Sequence, residues 1–355
     1  MTSSPITRRH LLGAALAAPF LSACGAQSGG QAVTNAPGGA NAALLLPLTG
    51  AQGDIGQNMA RAASLASPGG GPQIYDTADT AEGAAAAATK ALSEGARLLL
   101  GPLKSDQTPA VLAVAGRVPV ITFSNDDTLA DQGAYVMGLT PAQSVGTMFT
   151  YARAQGLTQI AVVAREGPLG EATLRAATQI ASAGGITLTG VLTRDPAQSG
   201  LTTALRAGGA RPQAVYLPDG GATLTGFADG LAGSGLQILG SVQWGAGDIT
   251  ADPNLAGAWF AAPPPDLFTP FADRFAATFG AAPGAVAGLG HDAALIAAGL
   301  ANARALTRKG IERNAGFTGV LGPFRFLPTG RCQRDLSVLT LRQGILEVLA
   351  EVAGT

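Results

Sequence analysis

The sequence predicts an α/β protein built as two doubly wound parallel-sheet lobes. Three observations carry this. Short apolar runs ending at Pro or Gly alternate with alanine-rich stretches of helical period, which is the pattern of βαβ units. The alternation comes in two series, with a fresh helix start at Thr140-Pro141 between them. At 355 residues the chain has room for about two cores of ordinary size.

In the first series, Ala42-Ala43-Leu44-Leu45-Leu46 is a continuous apolar run stopped by Pro47 and Gly50, as a buried parallel strand is. Asp54 stands where an N-cap belongs, before Ile55, Met59, Ala62, Ala63 and Ala66 at helical spacing. Next come a strand at Gln73-Ile74-Tyr75-Asp76, a helix over 80–94, a strand from Ala96 to Gly101, a helix over 106–116 and a strand from Val118 to Phe123.

The second series opens with helix 141–155, capped by Thr140 and started by Pro141. Strand Gln159 to Ala164, helix 168–183, strand Ile186 to Leu192, helix 198–207, strand Gln213 to Leu217, helix 221–233 and strand Leu236 to Gly240 complete it. After Trp259-Phe260-Ala261-Ala262 and the prolines at 263–265, helices 267–279 and 286–305 follow with no strand between them, so they need a sheet to cover. The last forty or so residues read as antiparallel strands, Leu321 to Leu327, Asp335 to Arg342 and Ile345 to Val352, separated by Pro328-Thr329-Gly330 and Gln343-Gly344 turns. No run after the N-terminal segment reads as long and uninterrupted enough to span a membrane.

The N-terminus has a different character. The apolar stretch from Leu11 to Ala23, about 13 residues, fits the core of an export signal and falls short of a bilayer span. Its end, Leu21-Ser22-Ala23-Cys24, is similar to a bacterial lipoprotein signal, in which the cysteine thiol takes the lipid and becomes the first residue. Thr7-Arg8-Arg9-His10-Leu11-Leu12 is similar to a twin-arginine export sequence, and a Sec signal with two arginines reads equally from the same residues. Residues 1–23 are thus expected to be a signal peptide and 24–41, rich in Gln, Ser, Gly, Asn and Pro, a tether. With Cys24 lipidated, Cys332 has no partner for an intrachain disulfide. A net charge of −1 with no basic stripe excludes a nucleic-acid footprint.

Five motifs, in order, carry a resemblance. Leu46-Pro47-Leu48-Thr49-Gly50 with Gly56, Asp76-Thr77, Gly101-Pro102-Leu103-Lys104-Ser105, Val118-Pro119-Val120-Ile121 and Gly290-His291-Asp292-Ala293 resemble the leucine-binding-protein type of type I periplasmic binding proteins over residues 42–345. Phe123-Ser124-Asn125-Asp126 and Tyr135 to Pro141 resemble most the subgroup of penicillin-binding-protein activator lipoproteins. The resemblance implies the type I fold, two lobes joined by a three-strand hinge near 139–143, 259–266 and 313–319. Lobe one is then 42–140 plus 266–313, and lobe two 141–258 plus 319–355.

In open α/β sheets ligands sit beyond the carboxyl ends of the strands. Those ends carry Thr49, Ser105, Asn125 and Asp126 in the first lobe and Gly220, Gln243 and Trp244 in the second, the expected ligand-binding residues. Ser105 lies between a strand and a helix, where a hydroxyl and free N–H groups suit a carboxylate, or where the side chain simply caps the helix. The family's serine in this loop binds its ligand's α-carboxylate. Asp126 stands where amino-acid receptors of the family carry a small residue or threonine; its carboxylate suits a cationic or hydroxyl-rich ligand, or an Asx-turn. The resemblance also implies an aromatic at the position of Leu169 and an ammonium-binding acid near Gln243, and neither is present. Trp244 offers either a stacking face or partial core.

Catalysis finds no constellation. With two histidines, one in the signal, a metal cluster is excluded, and no cofactor motif appears. Lys90, Lys104 and Lys309 have no serine three residues earlier, and neither a Gly-x-Ser-x-Gly elbow nor a Walker loop is present. The expectation is a non-enzymatic, lipid-anchored protein in the periplasm of a Gram-negative bacterium, on either membrane, closing on a small molecule. As implied by the resemblance, its partner is a peptidoglycan synthase, which it regulates, or the membrane subunits of an ABC importer for amino acids or a related solute. A sensor module for a membrane kinase is a third reading.

Overall fold

The computed structural model describes residues 41–247 and 249–354. The expected signal, Cys24 and nearly all of the expected tether lie outside the described residues.

The first sheet comprises β1 (Ala42–Leu46), β2 (Gln73–Asp76), β3 (Leu98–Leu100), β4 (Val120–Thr122) and β5 (Tyr135–Val136), all parallel, in the order β2-β1-β3-β4-β5. Its strands are apolar on both faces because helices cover both. Of α1 (Gly53–Ala66), α2 (Ala81–Ser93) and α3 (Thr108–Ala115), the latter two pack through Ala84, Ala88 and Val111 on the side of Leu45 and Leu99. The opposite face carries α1.

The chain then passes to a second body. There α4 (Pro141–Ala154), β6 (Gln159–Ala164), α5 (Pro168–Gly184), β7 (Thr187–Thr193), α6 (Leu201–Leu205), β8 (Ala214–Leu217), α7 (Gly221–Leu231), β9 (Gln237–Gly240) and β10 (Trp259–Ala262) alternate as βαβ units. Thr140 caps α4 in a full capping box with Gln143. After β10 the chain returns to the first body as α8 (Pro265–Phe279), α9 (Gly284–Asn302) and α10 (Arg308–Ile311), and α9 lies beside α1 on the uncovered face. A small antiparallel sheet follows, β11 (Phe317–Gly319), β12 (Gly322–Phe326) and β13 (Cys332–Arg334). The chain ends in β14 (Leu336–Arg342) and β15 (Ile345–Val352), antiparallel additions that complete the second sheet in the order β15-β14-β10-β9-β8-β6-β7.

Four expectations need correction. Asp54 does not cap α1: the cap position is Gln52, and Asp54 sits in the first turn, where its charge complements the helix dipole. The stretch 106–116 is divided into a 3-10 turn over Ser105–Gln107 and α3, with Gln107 at the cap position. The segment after 319 was expected in the second lobe, yet Leu321, Phe324, Phe326 and Cys332 pack with Leu44, Met59 and Leu289 in the first core. The last passage between the sheets therefore falls near Asp335, later than the expected 313–319. Finally, α9 is long and apolar enough to cross a membrane, but its apolarity serves the core, since most of that stretch is buried.

Near that last passage lies a buried ion pair. Arg334 is wholly buried, with Nη1 4.0 Å from Asp292 Oδ2 and its guanidinium over the Phe324 ring. It donates to the carbonyl oxygens of Met137 at 3.2 Å and Leu321 at 3.4 Å, while Asp292 accepts from the N–H groups of Val320 at 2.7 Å and Leu321 at 3.3 Å. Removing one partner leaves the other charge uncompensated in the interior. Arg334→Met should cost about 3–5 kcal/mol, measured by urea unfolding, and adding Asp292→Asn should recover part of it. A loss below about 1 kcal/mol, the level of an exposed pair, would show that the pair does not organise this junction.

Candidate functional site

The carboxyl ends of the first sheet are held together by two carboxylates. Asp76 accepts from the N–H groups of Leu48 at 2.9 Å, Thr49 at 3.3 Å and Ala78 at 2.8 Å, and from the Thr49 hydroxyl at 2.7 Å. Desolvation opposes its ionisation, but these donors outweigh it and hold the carboxyl below its usual range. Asp79 accepts from the Gln52 N–H at 3.2 Å and Gln107 Nε2 at 3.3 Å and lies 3.7 Å from Lys104 Nζ. The loops after β1, β2 and β3 are thereby fixed before any ligand arrives.

Thr49 thus spends its proton on Asp76. Ser105, exposed at the start of its 3-10 turn, has a hydroxyl with no hydrogen-bond partner among the described residues. Asn125 is exposed after β4. Asp126 turns back on its own loop, accepting from Thr128 N at 3.1 Å and Thr128 Oγ1 at 2.7 Å, so the cap reading describes it and its carboxylate is committed there.

In the second sheet, Gln243 follows β9, half-buried. Gly220 starts α7 where a Cβ would fall 2.5 Å from the Gln243 carbonyl oxygen, so a glycine is needed for these two loops to touch. Trp244 is no stacking face: it is fully buried, donates Nε1–H to the Leu217 carbonyl at 3.1 Å and stacks on Phe260 with centroids 5.5 Å apart. Its ring occupies the space a Cβ at position 240 would take, which is why Gly240 ends β9. Asp219, missed from the sequence, lies beside Gly220 and accepts from Arg165 N at 3.2 Å. Burial pushes its carboxyl up, against the opposing pull of Arg165. Its position two residues past an apolar strand was the available signal.

Between the two sheets, next to these loops, is a cavity of about 440 Å³. Ile55 and Leu103 from the first body, Leu139 from the first passage and Val242 from the second body give it apolar walls, with the start of α9 closing one side. Asn58, Asn125 and Gln243 supply polar groups, and among the described residues no Asp, Glu, Lys, Arg or His lines it. Of the expected residues, the structure brings Asn125 and Gln243 together here; Thr49, Ser105 and Gly220 lie at strand ends outside its lining.

His291 is buried against Phe271, and its neighbour Asp292 is occupied at the junction described above. Among the described residues no group of three His, Cys, Asp or Glu is placed to hold a metal. Cys332 is a buried free thiol whose pKa burial pushes up to about 11, far from a reactive thiolate.

Two parallel-sheet bodies connected by repeated passages, with a cavity where their loops meet, define a two-lobed binding protein. A family model described as periplasmic binding protein matches residues 40–344, and the chain belongs to that family. No curated protein matches it. Among solved structures, a putative branched-chain amino acid ABC transporter protein from Rhodospirillum rubrum aligns with a TM-score of 0.74 at 21% identity, covering 87% of this chain and 100% of that one. A solute-binding protein from R. palustris in complex with benzoate aligns at 0.62 and 19%, covering 89% and 96%. The branched-chain amino acid transporter substrate-binding protein of Streptococcus pneumoniae in complex with isoleucine aligns at 0.60 and 16%, covering 88% and 98%. These likenesses establish the type I fold.

The Asp76 geometry gives a pH prediction. Its folded pKa lies below the unfolded value, so its stabilisation is complete above the ordinary carboxylate range and is lost as pH falls through the folded value. Asp219, with a raised pKa, acts in the opposite sense, its contribution fading as pH rises through its folded value. Wild type should be more stable than Asp76→Ala at about pH 6, with the gap closing toward about pH 3 in parallel denaturant titrations. A gap independent of pH would contradict the assignment.

Proposed function

We propose that the chain captures a small apolar monocarboxylate lacking an ammonium group between its lobes, without chemistry of its own, and delivers it to the membrane subunits of an ABC importer. The carrying observation is the uncharged cavity. An α-amino acid buries both a carboxylate and an ammonium, and an uncompensated buried ion costs several kcal/mol. A carboxylate can be met at the cavity's edge by the Ser105 hydroxyl and N–H groups at the head of its turn, two residues beyond the lining residue Leu103, whereas among the described residues no acidic side chain lines the cavity to meet an ammonium. Asn125 and Gln243 suit hydroxyl or carbonyl substituents on the ligand body. Benzoate, bound by one relative, has this chemistry, whereas isoleucine, bound by another, does not.

In this reading the protein works in the periplasm, as its family does, held to a membrane through a lipid on Cys24 and exported by either the Sec or the twin-arginine route. A second reading is favoured by the resemblance of residues 123–126 and 135–141 to penicillin-binding-protein activators. There the closed, liganded form contacts a peptidoglycan synthase in place of an importer, and capture of that synthase from envelope extract only in the presence of ligand is its distinguishing result.

Isothermal titration tests the ligand class. Leucine, isoleucine and valine should bind no tighter than roughly 100 µM, equivalent to about 5.5 kcal/mol. Benzoate and hydroxybenzoates should bind more tightly, and Ser105→Ala should weaken them about tenfold or more, as loss of a hydrogen bond to a charged group does. A sub-micromolar constant for any of the three amino acids would overturn the assignment.

A further inference from the structure

The end of the first lobe opposite the cleft has its own charge pattern. At the amino ends of the parallel strands, where α2 and α9 also end, six exposed cations gather: Lys90, Arg97, Arg117, Arg304, Arg308 and Lys309. Lys90 and Arg308 lie over the rings of Tyr75, within β2, and Tyr135, at the start of β5. The backbone N–H of Arg97 donates to the Asn41 carbonyl at 2.7 Å. Among the described residues, Arg97, Arg117, Arg304 and Lys309 form no ion pair. The acids of this end are engaged instead: Glu94 and Glu312 accept from the hydroxyls of Tyr75 and Tyr135, and Asp131 pairs with Arg331. A basic face of this kind contrasts with the chain as a whole, which carries a net charge of −1.

Two further observations converge on this face. Arg97 and Arg304 line a cavity of about 280 Å³ together with Asn41, Ala301 and Leu306, so two guanidinium-bearing residues flank one hollow with no carboxylate among the described residues of its lining. Asn41, the first described residue, lies at this face, so the chain that carries Cys24 is joined to it here. A lipid on Cys24 would keep this face within about 60 Å of the bilayer even with the connecting chain drawn straight.

We propose that the base of the first lobe is a membrane-contact surface for anionic phospholipids, with Arg97 and Arg304 taking a headgroup phosphate at the hollow. The proposal rests on the lipid-anchored reading of Cys24. Guanidinium groups suit phosphate because they donate in a planar fork, and juxtamembrane cations gain from an anionic surface within about one Debye length, roughly 8 Å at physiological salt. Contact through this base points the carboxyl ends of the strands, and so the cleft, away from the bilayer toward the solute. Docking on an importer then requires release from the surface, for which a contact weakened by salt is suited.

The test uses the processed chain with Cys24→Ser, which has no lipid, in flotation with vesicles of phosphatidylglycerol and phosphatidylcholine against vesicles of phosphatidylcholine alone. The expected result is co-flotation with the anionic vesicles only, abolished by high salt. The variant Arg97→Gln, Arg304→Gln, Lys309→Gln should partition roughly 100-fold less, about fivefold per cation, with an unchanged circular dichroism spectrum and unchanged benzoate titration. Equal flotation with both vesicle types, no flotation with either, or undiminished binding by the triple variant overturns the proposal. Failure of the anchor reading gives a different signature: wild type in the soluble periplasmic fraction of cells, unaltered by Cys24→Ser, whatever the vesicles show.

Discussion

The structure depends first on the buried pair of Asp292 and Arg334. A guanidinium removed from water is tolerable only when a carboxylate and several acceptors surround it, and that requirement draws together parts of the chain distant in sequence. Asp292 comes from α9, the helix that returns to cover the first sheet, and Met137, whose carbonyl accepts from Arg334, lies just before the passage into the second lobe. Asp335, the next residue, accepts the Gly354 N–H at 2.8 Å and so draws in the chain's last turn. Two of the passages between the lobes are therefore fixed to the first lobe at one point.

The same logic of satisfied charge shapes the cleft. Asp76 and Asp79 consume backbone and side-chain donors to hold three loops in place, and Asp126 closes its own turn. What remains beside them is a cavity whose described lining carries no charged side chain and presents the amides of Asn125 and Gln243. In the proposed reading, selectivity arises from what is missing as much as from what is present: a ligand's carboxylate meets the Ser105 turn, while an ammonium meets no anion among the described lining residues.

Most of this architecture could be read from the sequence because long apolar runs and helical periods report burial directly. Strands 42–46, 73–76 and 159–164 coincide with the expected limits. The elements that escaped include β5, β11 and β13, two or three residues long and too short to show any period, and the four-residue β10 and α10. The tail was misassigned for a related reason. Leu321 to Leu327 alternates as a strand does, but the pattern cannot say which core its apolar side meets, and Arg334, which marks the boundary, reads as an ordinary surface cation until its burial is seen. In the site, residue type located the loops but not their orientation. Trp244 went to the core because Gly240 leaves room for its ring, and Asp126 to its turn because Thr128 offers two donors. Asn125 and Gln243, with no such local partner, stayed in the cavity.

The central claim is that the two lobes close on a carboxylate ligand held at the first sheet's strand ends. Small-angle scattering of the protein with and without saturating benzoate, with occupancy established by titration, tests it most directly. A fall in radius of gyration on binding is the predicted result, and superimposable curves at full occupancy would contradict the account.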